Sequence, residues 1–208
     1  MIDVSSLIAF VVSASILTAT PGVDTAIVLR AALGAGRQAA SWAALGVAIG
    51  CLVWGAAVAL GLGVLLQTSA QAYRVVTYLG AAYLVMLGAK WLFMPRSAVV
   101  AETGPVMSTS ARDALLSGLW VNLLNPKVGL FYITFLPQFV PAGSRAAVAI
   151  FLLVCIHVGL SLLWFAALIM ATVPLTQILR SPTLIRALDR IAGSVLVAFG
   201  IKLAVSAR

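Results

Sequence analysis

The sequence predicts an all-α integral membrane protein. Six transmembrane helices form two inverted three-helix repeats, with the first and fourth helices interrupted by proline. Three observations lead there: a composition too apolar for water, six apolar segments of spanning length, and prolines set inside two of them. The 208 residues are 63% hydrophobic and 9% charged, with a mean hydropathy of +1.15. Soluble domains average about 45–50% apolar and about 25% charged residues. No hydrophilic stretch is long enough to bury a core of its own, so residues 1–208 read as a single transmembrane domain in the lipid bilayer.

A helix needs about 20 apolar residues to cross the hydrocarbon layer. Such segments run over residues 4–29, 39–66, 72–94, 114–137, 146–171 and 185–205. The first begins "MIDVSS", which lacks the basic start of a signal peptide, and it reads as a retained span. The second is long enough to tilt or to extend past the membrane. The third ends at a connection, "MPRSAVVAETGPVMSTSARD", whose Pro, Gly, Ser and acidic residues read as a linker. That linker, residues 95–113, separates repeat 1 (1–94) from repeat 2 (114–208). The fourth span ends near Pro137 and Gln138, and the sixth carries Arg186, Asp189 and Arg190 in its first turns.

Basic residues give an orientation. The first, third and fifth connections hold Arg30, Arg37, Lys90, Arg96, Arg112, Arg180, Arg186 and Arg190. The opposite side holds only Arg74, Arg145, Lys202 and Arg208. Cytoplasmic loops are the basic ones, so both termini are expected outside. The same scatter explains the net charge of +8 without nucleic acid, since the sequence has no basic run and no aromatic–basic interleaving.

The first and fourth spans rhyme. "TATPGVDTAIVL" and "NLLNPKVGLFYI" each place a proline after a small polar residue, inside an apolar run and beside a charge. Three spans is an odd number, so equivalent halves would be inverted. Transporters with such repeats bind substrate where their interrupted helices face each other at mid-membrane. Proline lacks an N–H and clashes with the preceding turn. The freed carbonyls and N–H groups cost several kcal/mol in lipid unless something polar meets them. Pro21, Gly22, Asp24, Asn122, Asn125, Pro126 and Lys127 are therefore the candidate substrate-binding or coupling residues.

A charge at a helix centre costs about 2.5–3.5 kcal/mol on insertion scales, so it faces a cavity or a partner. Asp24 and Lys127 can form an ion pair joining the halves. Alternatively, Asp24 can meet an ammonium or carry a proton, while Lys127 and a helix N-terminus meet a carboxylate. Asn122 and Asn125 lie about one turn apart on one face. Gly46 and Gly50 form a small-residue packing face, "GLG" at 61–63 suggests another, and such faces leave room for a homodimer. His157 reads as a hydrogen-bonded structural residue. Cys51 and Cys155 read as small buried apolar residues. The sequence has no Cys-x-x-C and one histidine, which gives no metal site, no cofactor and no thiol or other enzyme chemistry.

Four stretches resemble the LysE/RhtB family of bacterial amino-acid exporters. They are "TPGVDTAIVLRAALGAGRQAASWAALGVAIG", "LGAAYLVMLGAKWL", "GLWVNLLNPKVGLFYITFLPQFV" and "LDRIAGSVLVAFGIKLA". The resemblance covers nearly the whole chain. It implies a secondary transporter in the bacterial inner membrane that exports amino acids or close derivatives in exchange for protons, and it implies no enzyme activity. The family pattern reads Pro-Gly-Pro where this chain has Pro21-Gly22-Val23, which predicts a milder first break. The competing reading is a non-transporting accessory or structural membrane subunit with kinked helices.

Overall fold

The computed structural model describes residues 2–68, 70–95, 110–140, 146–171 and 181–206. Among the described residues every regular element is helical. They are α1 (Val4–Ala19), α2 (Val23–Gly34), α3 (Gly36–Thr68), α4 (Ala70–Phe93), α5 (Ala111–Leu123), α6 (Pro126–Phe135), a 3₁₀ turn (Leu136–Phe139), α7 (Ala146–Met170) and α8 (Pro182–Ser206). Residues 96–109, which hold most of the expected linker, lie outside the described residues.

Two helices are long and apolar enough to cross a membrane alone, over Gly36–Gly61 of α3 and Ala146–Met170 of α7. Two further spans arise if each bent pair counts as one: α1 with α2, and α5 with α6, each pair bent by 51°. α4 and α8 have 24 and 25 residues, the length of a span, but carry Arg74 and Lys90 or Arg186, Asp189 and Arg190. At 33 residues α3 is about 50 Å long, well beyond a hydrocarbon layer of about 30 Å.

Proline sets both breaks through the residue before it. Thr20 is extended (φ −72°, ψ 110°) ahead of Pro21, and Asn125 is extended (φ −81°, ψ 106°) ahead of Pro126. A residue preceding proline is pushed out of the helical region by the ring, which ends α1 and keeps α5 from running on. The expectation of a milder first break fails, because both bends are 51°. Val23 is the first residue of α2, where the backbone N–H has no intrahelical acceptor anyway. A second proline there would remove nothing that holds the helix straight.

The packing is close wherever glycine permits it. A methyl on Gly46 would collide with the Leu115 carbonyl of α5, and one on Gly118 with the Ala43 carbonyl of α3. α4 and α8 meet the same way: a methyl on Gly88 would lie 2.6 Å from the Gly193 carbonyl oxygen, and one on Gly193 2.7 Å from that of Gly88. The Gly46/Gly50 face is therefore spent inside the chain. Gly61 meets nothing within 4 Å, so the "GLG" stretch is not a packing face at that position. Phe131, Phe135 and Phe139 recur about every turn from α6 into the 3₁₀ turn and join Phe10 and Phe199, with Phe135 and Phe199 centroids 4.4 Å apart. Gln138 ends this span by donating to the Thr134 carbonyl at 3.0 Å.

Candidate functional site

α2 and α6 are the helices that restart after the breaks, and their first residues are Val23 and Pro126. Counted from those starts, Asp24 and Lys127 are both second residues. The two halves thus place opposite charges at the same position, a correspondence hidden when the prolines themselves are aligned. Gly22 and Asn125 are the matching N-caps. The Asn125 side-chain oxygen accepts from the Lys127 backbone N–H at 3.0 Å, whereas Gly22 has no side chain to cap α2.

An acidic residue at a helix start is favourable, and a lysine there is unfavourable by about 0.3–1 kcal/mol. Lys127 escapes its own helix start. Its ammonium reaches back to the end of α1 and donates to the carbonyls of Leu17 and Thr20, both at 3.0 Å. The Trp91 ring lies below it, with the ammonium 5.4 Å from the ring centroid. These carbonyls are the acceptors freed when proline ended α1, and a cation at that C-terminus is favourable. The other broken helix is served similarly: Trp54 of α3 donates its indole N–H to the Leu123 carbonyl at 3.2 Å. At each interruption, therefore, a side chain from another helix answers at least one orphaned carbonyl.

Asn122 is fully buried and donates to Asp24 Oδ2 at 3.0 Å and to the Cys51 sulfur at 3.3 Å. Asp24 Oδ1 is buried without a hydrogen-bond partner among the described residues. Asp24, Gly22, Asn125, Lys127, Thr20 and His157 line one cavity of about 40 Å³, with apolar walls from Leu17, Val47, Val128 and Phe165. That volume holds a few water molecules.

Of the residues singled out by sequence, Gly22, Asp24, Asn125 and Lys127 line the cavity and Asn122 holds Asp24 from behind. Pro21 and Pro126 flank it by terminating helices. Sequence reasoning missed the backbone carbonyls of Leu17 and Thr20, and the parts played by Trp54 and Trp91. His157 is hydrogen-bonded as expected, its Nδ1 lying 2.8 Å from the Tyr132 hydroxyl, but it also faces the cavity. Cys51 is buried at the site, whereas Cys155 is exposed, contrary to expectation. Among the described residues no group of three or more His, Cys, Asp or Glu side chains gathers to hold a metal.

Comparison with known proteins bears on this arrangement. The family of LysE type translocators matches residues 15–207. The uncharacterized membrane protein YrhP of Bacillus subtilis (strain 168) is 30% identical over 208 residues, covering 97% of this chain and 99% of its own length. A leucine efflux protein of Klebsiella pneumoniae is 31% identical, covering 97% of this chain and 95% of its own. A threonine efflux protein of Escherichia coli (strain K12) is 29% identical, with 90% and 91% covered. No solved structure matches. The chain belongs to the LysE type translocators, a family of multi-pass membrane transporters and not of enzymes.

Proposed function

We propose that this LysE type translocator exports neutral amino acids or close derivatives from the cytoplasm, in exchange for protons. The observation that carries the reading is the convergence of two broken helices on one buried cavity, with Asp24 and Lys127 at equivalent positions beside it. A zwitterion needs an anion and donors or a cation within one small polar space, and the rest of the wall must be apolar to accept a side chain. The Asp24 carboxylate, with one oxygen fixed by Asn122 and the other without a hydrogen-bond partner among the described residues, takes either an ammonium or a proton. Exclusive use of one carboxylate by the two cations is the simplest route to exchange. The names of the leucine and threonine efflux relatives point to the same substrate class.

The wider frame is six spans in two inverted repeats, in the bacterial plasma membrane with both termini outside. Its support is that α3 packs on α7 and α4 on α8, as corresponding helices beside a two-fold axis between the halves would. The alternative of a non-transporting accessory subunit does not need a buried, half-satisfied carboxylate.

The test is efflux of labelled amino acids from preloaded cells expressing wild type or Asp24→Asn, at matched membrane abundance, with and without an uncoupler. Faster exit of a narrow neutral set, lost with the uncoupler and in the variant, supports the reading. Unchanged exit of every amino acid tested refutes it.

A further inference from the structure

We infer that the carbonyls of Leu17 and Thr20, together with the Trp91 ring, form the receptor for the substrate's α-ammonium, and that Lys127 is a tethered stand-in holding that receptor until substrate displaces it. The inference rests on the export reading and assigns half of its binding site.

The geometry is that of an ammonium site. Two carbonyl oxygens accept from Lys127 Nζ at 3.0 Å each, and an aromatic face lies 5.4 Å from the same nitrogen. Backbone carbonyls and an aromatic ring are what a primary ammonium binds when it leaves water. Leu17, Thr20, Asp24 and Lys127 all line the same cavity. A substrate ammonium placed there can give its third N–H to the Asp24 oxygen that has no hydrogen-bond partner among the described residues. The cavity of about 40 Å³ is too small for an amino acid while the lysine side chain lines it. Displacing Lys127 frees room and leaves its ammonium beside the incoming molecule, where the substrate carboxylate can take it. The displacement also removes the tie between α6 and the end of α1, so occupancy by substrate releases one of the contacts that join the two broken helices, leaving the Asn122–Asp24 bond as another. Lys127 thereby couples substrate binding to the parting of the helices.

The competing role, in which Lys127 is already the carboxylate receptor, forecasts only a charge effect on amine binding, with no dependence on Trp91. The experiment measures binding and transport by purified protein in proteoliposomes, using leucine and its decarboxylated amine, 3-methylbutylamine. In Lys127→Met the receptor is unoccupied. If the lysine holds it nine-tenths of the time in wild type, amine half-saturation falls about tenfold. Leucine turnover falls as well, because nothing then couples binding to helix release. Adding Trp91→Leu to that variant weakens the amine about threefold again, which a mere change in long-range charge would not do. Lys127→Arg keeps a cation in the receptor, and its amine affinity is expected to stay at or below that of wild type. Weaker amine binding in Lys127→Met, or tighter amine binding in Lys127→Arg, overturns the inference while leaving the export reading intact. Wild type that transports no amino acid overturns both.

Discussion

Gly50→Ala tests the site through a single methyl group. Built on Gly50 of α3, that methyl would stand 2.6 Å from Oδ1, 2.9 Å from Cβ and 3.0 Å from Cγ of Asn122. Non-bonded carbons settle at about 3.5–4.0 Å, so Asn122 must retreat by roughly 1 Å. It has nowhere to go without cost, being fully buried with its amide 3.0 Å from Asp24 Oδ2. A retreat of that size lengthens the bond beyond hydrogen-bonding range and leaves both carboxylate oxygens unpartnered. Overpacking costs about 1–3 kcal/mol and an orphaned buried acceptor about 1–3 kcal/mol. Because the shift relieves part of the overlap as it breaks the bond, the net loss is about 2–4 kcal/mol. The assay is reversible unfolding in mixed micelles, paired with amino-acid efflux at matched abundance. Gly61→Ala, which meets nothing within 4 Å, is the control and should lose neither stability nor transport. A Gly50→Ala protein that unfolds and transports like that control would refute the placement of Asn122 behind Asp24.

Other substitutions probe separate contacts. Trp54→Phe removes the donor to the Leu123 carbonyl at the second break and should cost about 1–2 kcal/mol in the same unfolding assay, while Trp42→Phe, on the exposed side of α3, should cost little. Tyr132→Phe should cost about 1 kcal/mol by orphaning His157 Nδ1, and the double variant with His157→Phe should lose less than the sum of the single losses. Gly88→Ala should force α4 and α8 apart, costing about 1–3 kcal/mol, whereas Gly159→Ala, with nothing within 4 Å, should be neutral or stabilising.

The all-helical character was legible because hydrophobic length needs no tertiary information, and of the six expected spans two helices, or four with each bent pair taken as one, are long and apolar enough to cross a membrane. The breaks at Pro21 and Pro126 were legible because proline acts on its own neighbours. The match between Asp24 and Lys127 was obscured because α2 starts two residues after its proline while α6 starts on its own. Counted from the helix starts rather than the prolines, both are second residues. The direction of the Lys127 side chain was not legible at all. Its partners are main-chain carbonyls about a hundred residues earlier, and every residue has a carbonyl. The same limit hid the part played by Trp54 and the receptor face of Trp91. Glycine-rich stretches look alike in sequence, yet Gly46 and Gly50 pack against α5 while Gly61 meets none of the described residues within 4 Å. Only the neighbouring helix distinguishes them.

The most direct test of the account is proton movement driven by an amino-acid gradient. Wild type and Asp24→Asn are reconstituted into proteoliposomes that enclose a pH-sensitive dye, and leucine or threonine is added to one side without any other gradient. The account expects protons to move opposite to the amino acid in wild type and no proton movement in Asp24→Asn. Amino-acid flux in wild type without any proton flux, or proton flux that survives in Asp24→Asn, would contradict it.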